Sequence, residues 1–195
     1  CKVDAATVSR FVDQLVETFT TGLRNGDPTS DLLLSLTQFN AFRAMLQNMN
    51  TLGLTMEMMK EDDRISSFNQ SMPVGQLPSS LQPTAVQSAI PHHPWIDPFP
   101  IPSFRDALLI NEGKYDEDDL CNDLVGQCGM LGGQVGIIVW GEAWDPMGFE
   151  MTETFAKKWA DVFRDCWEIR ASTDYWRRSR GERPIFEVDD EVDEE

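Results

Sequence analysis

Apolar residues recur at intervals of three and four over residues 4–24. Val8, Phe11, Val12, Leu15, Val16, Phe19 and Leu23 form one stripe there, which predicts an amphipathic helix. "NGDP" at 25–28 ends it. A second helix is expected from a cap at Ser30 or Asp31 to about Asn50, with Leu32, Leu36, Phe39, Phe42, Leu46 and Met49 in period. A third, shorter one is expected over 54–63. Two long helices joined by a short turn predict an antiparallel hairpin in which each stripe covers the other.

The period then breaks. "SSFNQSMPVGQLPSSLQPT" (66–84) reads as a polar surface loop. "PHHPWIDPFPIPSFRD" (91–106) holds five of the eleven prolines, and its X-Pro steps favour extended backbone. Stiffness lowers the entropy lost when its rings settle into a groove, and large apolar patches are seldom left in water. His93, Pro94, Trp95, Asp97, Phe99 and Pro100 therefore read as a strap docked on the chain's own core. His92 and His93 are the only histidines, and neighbours on an extended chain point to opposite sides. No metal site is expected, and hydrogen bonds should satisfy both imidazoles.

Beyond the strap, a short helix is expected over 103–110, capped by Ser103, and another in "DEDDLCNDLVGQC" (116–128). The second should turn Leu120, Cys121, Leu124, Val125 and Cys128 inward. "VGIIVW" (135–140) is strand-like, either a buried extended segment or half of a minor hairpin. "GEAWDPMGFE" reads as a turn-rich connection. Thr152 should cap a helix carrying Phe155, Trp159, Val162, Cys166 and Ile169, and Ser172 or Thr173 a last one that stops at Gly181. The class is mainly α, with one helical domain over 1–186. It comprises a hairpin (4–64), a loop and Pro-rich strap (65–103) and a helical lobe (104–186), before an acidic tail (187–195).

Charge narrows the function. The net charge is −17, from 33 acidic and 16 basic residues, and the seven acids of "EVDDEVDEE" (187–195) do not account for it. A body of that sign repels phosphate backbones, so this stretch is not itself a DNA reader. The basic cluster in "YWRRSRGER" (175–183) has the chemistry to contact phosphate, but the acidic tail begins four residues later and could fold back on it instead; the simpler reading is a solvated helix end whose positive charge the dipole favours. No apolar run approaches the roughly 20 residues of a membrane span. Four cysteines at these spacings match no zinc pattern or disulfide framework, which suits a reducing compartment.

Glu142 and Asp145 beside Trp140 and Trp144 invite comparison with paired glycosidase carboxylates. Asp145-Pro146 reads more simply as the start of a turn. No nucleotide, hydrolase or metalloprotease fingerprint occurs, so no catalytic residue and no cofactor is assigned. Nine methionines, Met45 and Met49 among them, support an alternative. With Trp140, Trp144 and Trp159 they would line an apolar pocket for a small molecule.

Four blocks carry a resemblance: "LLLSLTQFNAFRAMLQNMNTLGL" (32–54), "LPSSLQPTAVQSAIPHHPWIDPFPIPSFRDALL" (77–109), "DEDDLCNDLVG" (116–126) and "GIIVWGEAWDPMGFEMTETFAKKW" (136–159). Together they resemble the fungal domain of unknown function found C-terminal to bZIP regions, with Ala143 and Phe149 as local departures. The resemblance implies a regulatory portion of a filamentous-fungal transcription factor, acting in the nucleus. Its partners would be transcriptional regulators or coactivators. DNA would be contacted only through a bZIP region upstream of Cys1, which would also supply any dimer contact. No catalytic or ligand residue carries over from the family.

Overall fold

A computed structural model describes residues 30–69, 76–125 and 135–186. Among the described residues the chain folds mainly into helices, with one two-stranded antiparallel hairpin. The helix expected over 4–24, and with it the first arm of the helical hairpin, lies outside the described residues, as do Cys1, Cys128 and residues 187–195.

Helix α1 (Ser30–Thr51) runs where the periodicity places it. Its deeply buried positions are Gln38, Ala41, Ala44, Asn48 and Met49, while Leu36, Phe39, Phe42 and Leu46 are only half-buried. The small alanines let α1 close on strand β1 (Ile137–Val139). Gly53, at a φ of 70°, ends the helix in the left-handed region that glycine adopts without penalty. A single 3-10 turn, Met58–Lys60, stands where a third helix was expected, and it buries no residue. Without a packed face so short a helix does not sustain itself.

The expected surface loop is partly interior: Ser66, Phe68, Ser80 and Leu81 are buried. It ends in helix α2 (Ala85–Ala89), opened by a reciprocal cap. Thr84 Oγ1 accepts the Gln87 N–H at 3.0 Å, and Gln87 Oε1 accepts the Thr84 N–H at 3.2 Å.

The strap lies on the core, but it is folded rather than extended. Pro94 opens a 3-10 turn (Pro94–Ile96), which His93 caps by accepting the Trp95 N–H on Nδ1. Pro102 begins helix α3 (Pro102–Ile110), where its missing N–H is no loss. Ser103 is therefore not the cap; its hydroxyl bonds Glu168 instead. Pro94, Ile96, Asp97, Phe99, Pro100, Ile101 and Phe104 are buried, and Trp95 packs half-buried against them. A run of rings carries the strap into the C-terminal lobe. Trp95 meets Phe99 edge-on at 6.1 Å, Phe99 meets Phe104 at 5.0 Å, and Phe104 stacks on Phe163 at 4.2 Å.

Beneath these rings lies a closed polar network. The Asp97 carboxylate accepts from Ser66 Oγ (2.6 Å), Gln87 Nε2 (2.7 Å) and His92 Nε2 (2.9 Å). Arg105, fully buried, donates to Gln87 Oε1 and to the carbonyls of Ser80, Gln82 and Phe99. Burial pushes its guanidinium down to about 10, still charged at neutral pH. Described parts of the loop and of the strap are thus tied to one Arg–Gln–Asp–His chain, whose members satisfy one another as buried polar groups must.

His92 adds a pH dependence. Its Nδ1 faces the Ile90 carbonyl at 2.7 Å and its Nε2 faces Asp97, so the doubly protonated ring satisfies both acceptors. Burial pulls its pKa down, but the Asp97 and Ile90 bonds outweigh that and hold it above the ordinary 6.5. Burial pushes His93 the other way, below that value. A raised folded pKa gives stability that is fully present below the unfolded value, about 6.5, and is lost as pH rises through the folded one. Urea denaturation between about pH 5.5 and 8.5 should show a fall in stability that the His92→Gln variant lacks. An identical slope in both proteins would contradict this assignment.

In the C-terminal lobe, helix α4 (Glu117–Val125) buries Leu120 and Leu124 and leaves Cys121 half-buried. Strand β1 pairs with β2 (Phe149–Met151), with Ile137 opposite Met151, Ile138 opposite Glu150 and Val139 opposite Phe149. The turn-rich reading of "GEAWDPMGFE" overlooked this second strand. Gly136 leads into β1 where only hydrogen fits: a Cβ would collide with the Phe155 ring and lie 2.6 Å from the Asp123 carbonyl. Thr152 caps helix α5 (Glu153–Lys158) as expected. The single helix predicted to follow is two, because α5 stops at Lys158 and helix α6 spans Trp167–Ser179. Ser172 and Thr173, expected as caps, are buried in the middle of α6.

Candidate interaction surface

Strand β2 leaves one row of backbone groups facing away from β1, and α6 covers it with side chains. Ser172 Oγ donates to the carbonyls of Phe149 (2.5 Å) and Met147 (3.0 Å), and the Met151 N–H donates to Thr173 Oγ1 at 2.9 Å. Trp176 Nε1 donates to Met147 O at 2.7 Å. This explains the buried hydroxyls in mid-helix: they close an open sheet edge, the feature most prone to unwanted pairing.

The same packing builds an aromatic shelf outside. Trp140, one residue past β1, stacks on Trp176 with centroids 5.4 Å apart, and Tyr175 meets Trp176 edge-on. Trp140 Nε1 donates to Glu150 Oε2 at 2.6 Å. The Glu150 carboxylate, 2 % exposed, is gripped by Arg180 through two bonds of 2.6 and 2.8 Å. A bidentate pair of this kind is strong and directional. The Arg180 guanidinium lies 5.1 Å from the Trp140 ring centroid and also binds Glu182. Arg180 holds the Glu182 carboxyl below the ordinary carboxylate range.

The turn from Gly141 to Gly148 continues the shelf and is pinned from three sides. Asn48 of α1 donates to Ala143 O at 2.6 Å, and Ser80 donates to Trp144 O. Asp145 Oδ1 accepts the Met147 N–H at 3.0 Å, so Asp145-Pro146 does start a turn. On this fixed frame Trp140, Trp144 and Met147 are 43 %, 47 % and 45 % exposed. Glu142 also faces water.

The match to a known family falls across this frame. Residues 64–170 fit the model of the family described as "Domain of unknown function (DUF3425)", more than half of the chain. The chain belongs to that family. No curated protein and no solved structure matches it. The DUF3425 span contains the strap, its polar network, the pinned turn and both strands, whereas Trp176 and Arg180 lie beyond it.

The residues considered for a small-molecule pocket differ in exposure. Met49 and Trp159 are buried, Met45 packs partly buried against the core, and Trp140 and Trp144 face outward. Trp159 Nε1 donates to Asp123, which also receives Lys158, joining α4 to α5. Burial pushes the Cys121 and Cys166 thiols up, Cys166 to about 12, the opposite of an activated nucleophile. Among the described residues no group of His, Cys, Asp and Glu is placed to hold a metal ion, and no helix is long and apolar enough to cross a membrane.

Glu150, Trp176, Asn48 and Arg105 were not singled out by sequence reasoning, and Arg180 was read only as part of a basic cluster at a helix end. For Arg105 a signal existed: it sits four residues before Leu109, on an apolar helix face. For Glu150 the signal was its place inside an apolar triplet, Phe149 to Met151.

Proposed function

We propose that this chain is a non-enzymatic regulatory and protein-interaction domain of a fungal bZIP-type transcription factor, acting in the nucleus through contacts with coactivators or other regulators. The observation that carries this reading is the shelf of Trp140, Trp144 and Met147, held half-exposed on a turn pinned by Asn48, Ser80 and Ser172. Rigid aromatic side chains on a preorganised frame lose little entropy on binding and dominate interface energetics. Membership of the DUF3425 family and the resemblance of the strap and "WGEAWDPMGFE" blocks support the transcriptional setting. DNA contact belongs to a basic region upstream of Cys1, in keeping with a net charge of −17 here.

The 195-residue chain, fused to an unrelated DNA-binding domain, should change expression of a tethered reporter relative to that domain alone. Trp144→Ala with Met147→Ala removes exposed apolar surface, and loss of one interface anchor typically costs about 2 kcal/mol or more, roughly thirtyfold in affinity. The double variant should return the reporter to baseline with little change in melting temperature. A chain with no effect on the reporter, or a double variant as active as the parent, would overturn the reading.

A further inference from the structure

The chain seats its own cations in a repeated way. Arg180 lies 5.1 Å from the Trp140 ring centroid and forks onto the Glu150 carboxylate. Lys158 lies 5.0 Å from the Trp159 ring centroid and pairs with Asp119 and Asp123. In both places an indole and a carboxylate hold one cation, the ring through its negative face and the acid through its charge. The turn from Gly141 to Gly148 offers the same two parts. Trp144 is 47 % exposed, and among the described residues no ring stacks on it and no cation lies over it. Glu142, two residues before it, is exposed and forms no ion pair with a described residue. Asp145 follows it, with Oδ1 accepting the Met147 N–H. The bonds from Asn48, Ser80 and Ser172 to the carbonyls of Ala143, Trp144 and Met147 hold the turn in place, so a partner does not have to order it.

We propose, resting on the reading of this shelf as an interaction surface, that the turn binds an arginine side chain on a basic segment of a partner protein. The guanidinium lies on Trp144 and its fork meets the carboxylates of Glu142 and Asp145, while apolar neighbours in the segment pack on Met147. Arginine fits better than lysine because its plane stacks on an indole while its edge still donates to an acid. Charge selects the same partner. Arg177 and Arg180 are shared among Glu150, Glu153 and Glu182, so on this shelf two paired cations stand against three paired acids, with Glu142 and Asp145 in addition. A net charge of −17 repels an acidic segment and speeds the arrival of a basic one. Trp167 is 70 % exposed but lines an open pocket with Arg164 and Arg170, which disfavour a further cation there.

The test measures binding of a labelled peptide, LRASLRASLRAS, to the 195-residue chain, beside the same peptide with citrulline in place of arginine. Citrulline keeps the shape and loses the charge. The arginine peptide should bind about fivefold tighter. Trp144→Ala should remove that preference, and so should Glu142→Gln with Asp145→Asn, whose amide oxygen still accepts the Met147 N–H. Glu112→Gln with Asp161→Asn takes the same charge from exposed positions outside the turn and should leave the preference in place. No binding of the arginine peptide, equal affinity for the citrulline peptide, or an equal loss from the two charge-removing pairs would overturn the proposal. The last would show attraction to the acidic surface as a whole. If Trp144→Ala with Met147→Ala silences the reporter while the peptides bind alike, the shelf keeps its role and the arginine partner is wrong. A clear peptide preference on a chain that leaves the reporter unchanged would support the arginine site and reject the transcriptional reading.

Discussion

Replacing Arg105 by methionine should lower stability by about 3–5 kcal/mol, the range seen when one member of a buried charged network is removed. The substitution preserves much of the apolar stem but removes the donor to the carbonyls of Ser80, Gln82 and Phe99 and leaves the amide oxygen of Gln87 with only the Thr84 N–H. A buried acceptor left unpaired costs about 1–3 kcal/mol, and the Arg105 bonds to Ser80 and Phe99 are buried. Asp97 would also lose the electrostatic compensation of the Arg105 guanidinium while still bonded to Ser66, Gln87 and His92. For a chain of this size each kcal/mol moves the melting temperature by roughly 2–4 °C, so a thermal melt should shift by about 10 °C. Arg105→Lys should recover only part of this, because one ammonium does not span four acceptors. A shift of a degree or two for Arg105→Met would mean that the network is incidental.

Phe104→Ala should have a comparable effect for a different reason. The ring is wholly buried and stacked parallel on Phe163, and Phe99 packs tilted against it at 5.0 Å. Truncating a buried phenylalanine costs about 3–5 kcal/mol, part transfer and part cavity. The position is demanding because α3 is anchored at both ends of the gap: Cys166 Sγ contacts Ser103 O, and Arg105 is held in the network. Neighbours therefore cannot collapse into the space. Trp95→Ala, at the half-buried end of the same ring series, should cost less, and equilibrium denaturation of the two variants side by side should show that order. A Phe104 variant as stable as the parent would show that the strap rings do not bear on the core.

The elements that could be read from the chain were those whose signal is local. Helix α1, the Thr152 cap and the buried thiol of Cys166 follow from spacing and residue chemistry. Of the pattern Phe155, Trp159, Val162, Cys166 and Ile169, four are buried and Val162 packs partly buried against the core, so it marked inward residues well. Its error was continuity. Between α5 and α6 the backbone makes three-residue turns, with Val162 N–H to Trp159 O and Cys166 N–H to Phe163 O, and these preserve the spacing of inward residues without a helix. Periodicity reports which residues face the core, not what backbone joins them.

Other features depended on distant partners. Thr84 and Gln87 have the spacing of a reciprocal cap, yet the surrounding Ser, Gln and Pro composition pointed to loop. Strand β2 is three residues long and exists only because β1 and α6 flank it. The half-exposed face of α1 shows the same limit, since its predicted partner lies over 4–24, outside the described residues. The surface around Trp140 was flagged for its tryptophans, but Glu150 and Arg180, thirty residues apart, become a pair only when α6 crosses β2.

Native-state hydrogen exchange, resolved by residue, tests most directly whether the proline segment is part of the fold. The amides of Asp97, Phe99, Phe104 and Arg105 donate within the strap and into α3. They should exchange only through global opening, with the same free energy as Met151 beneath α6. Exchange at those four amides near the free-peptide rate, while Met151 stays protected, would mean that the strap peels from an otherwise intact protein, and the account would fail.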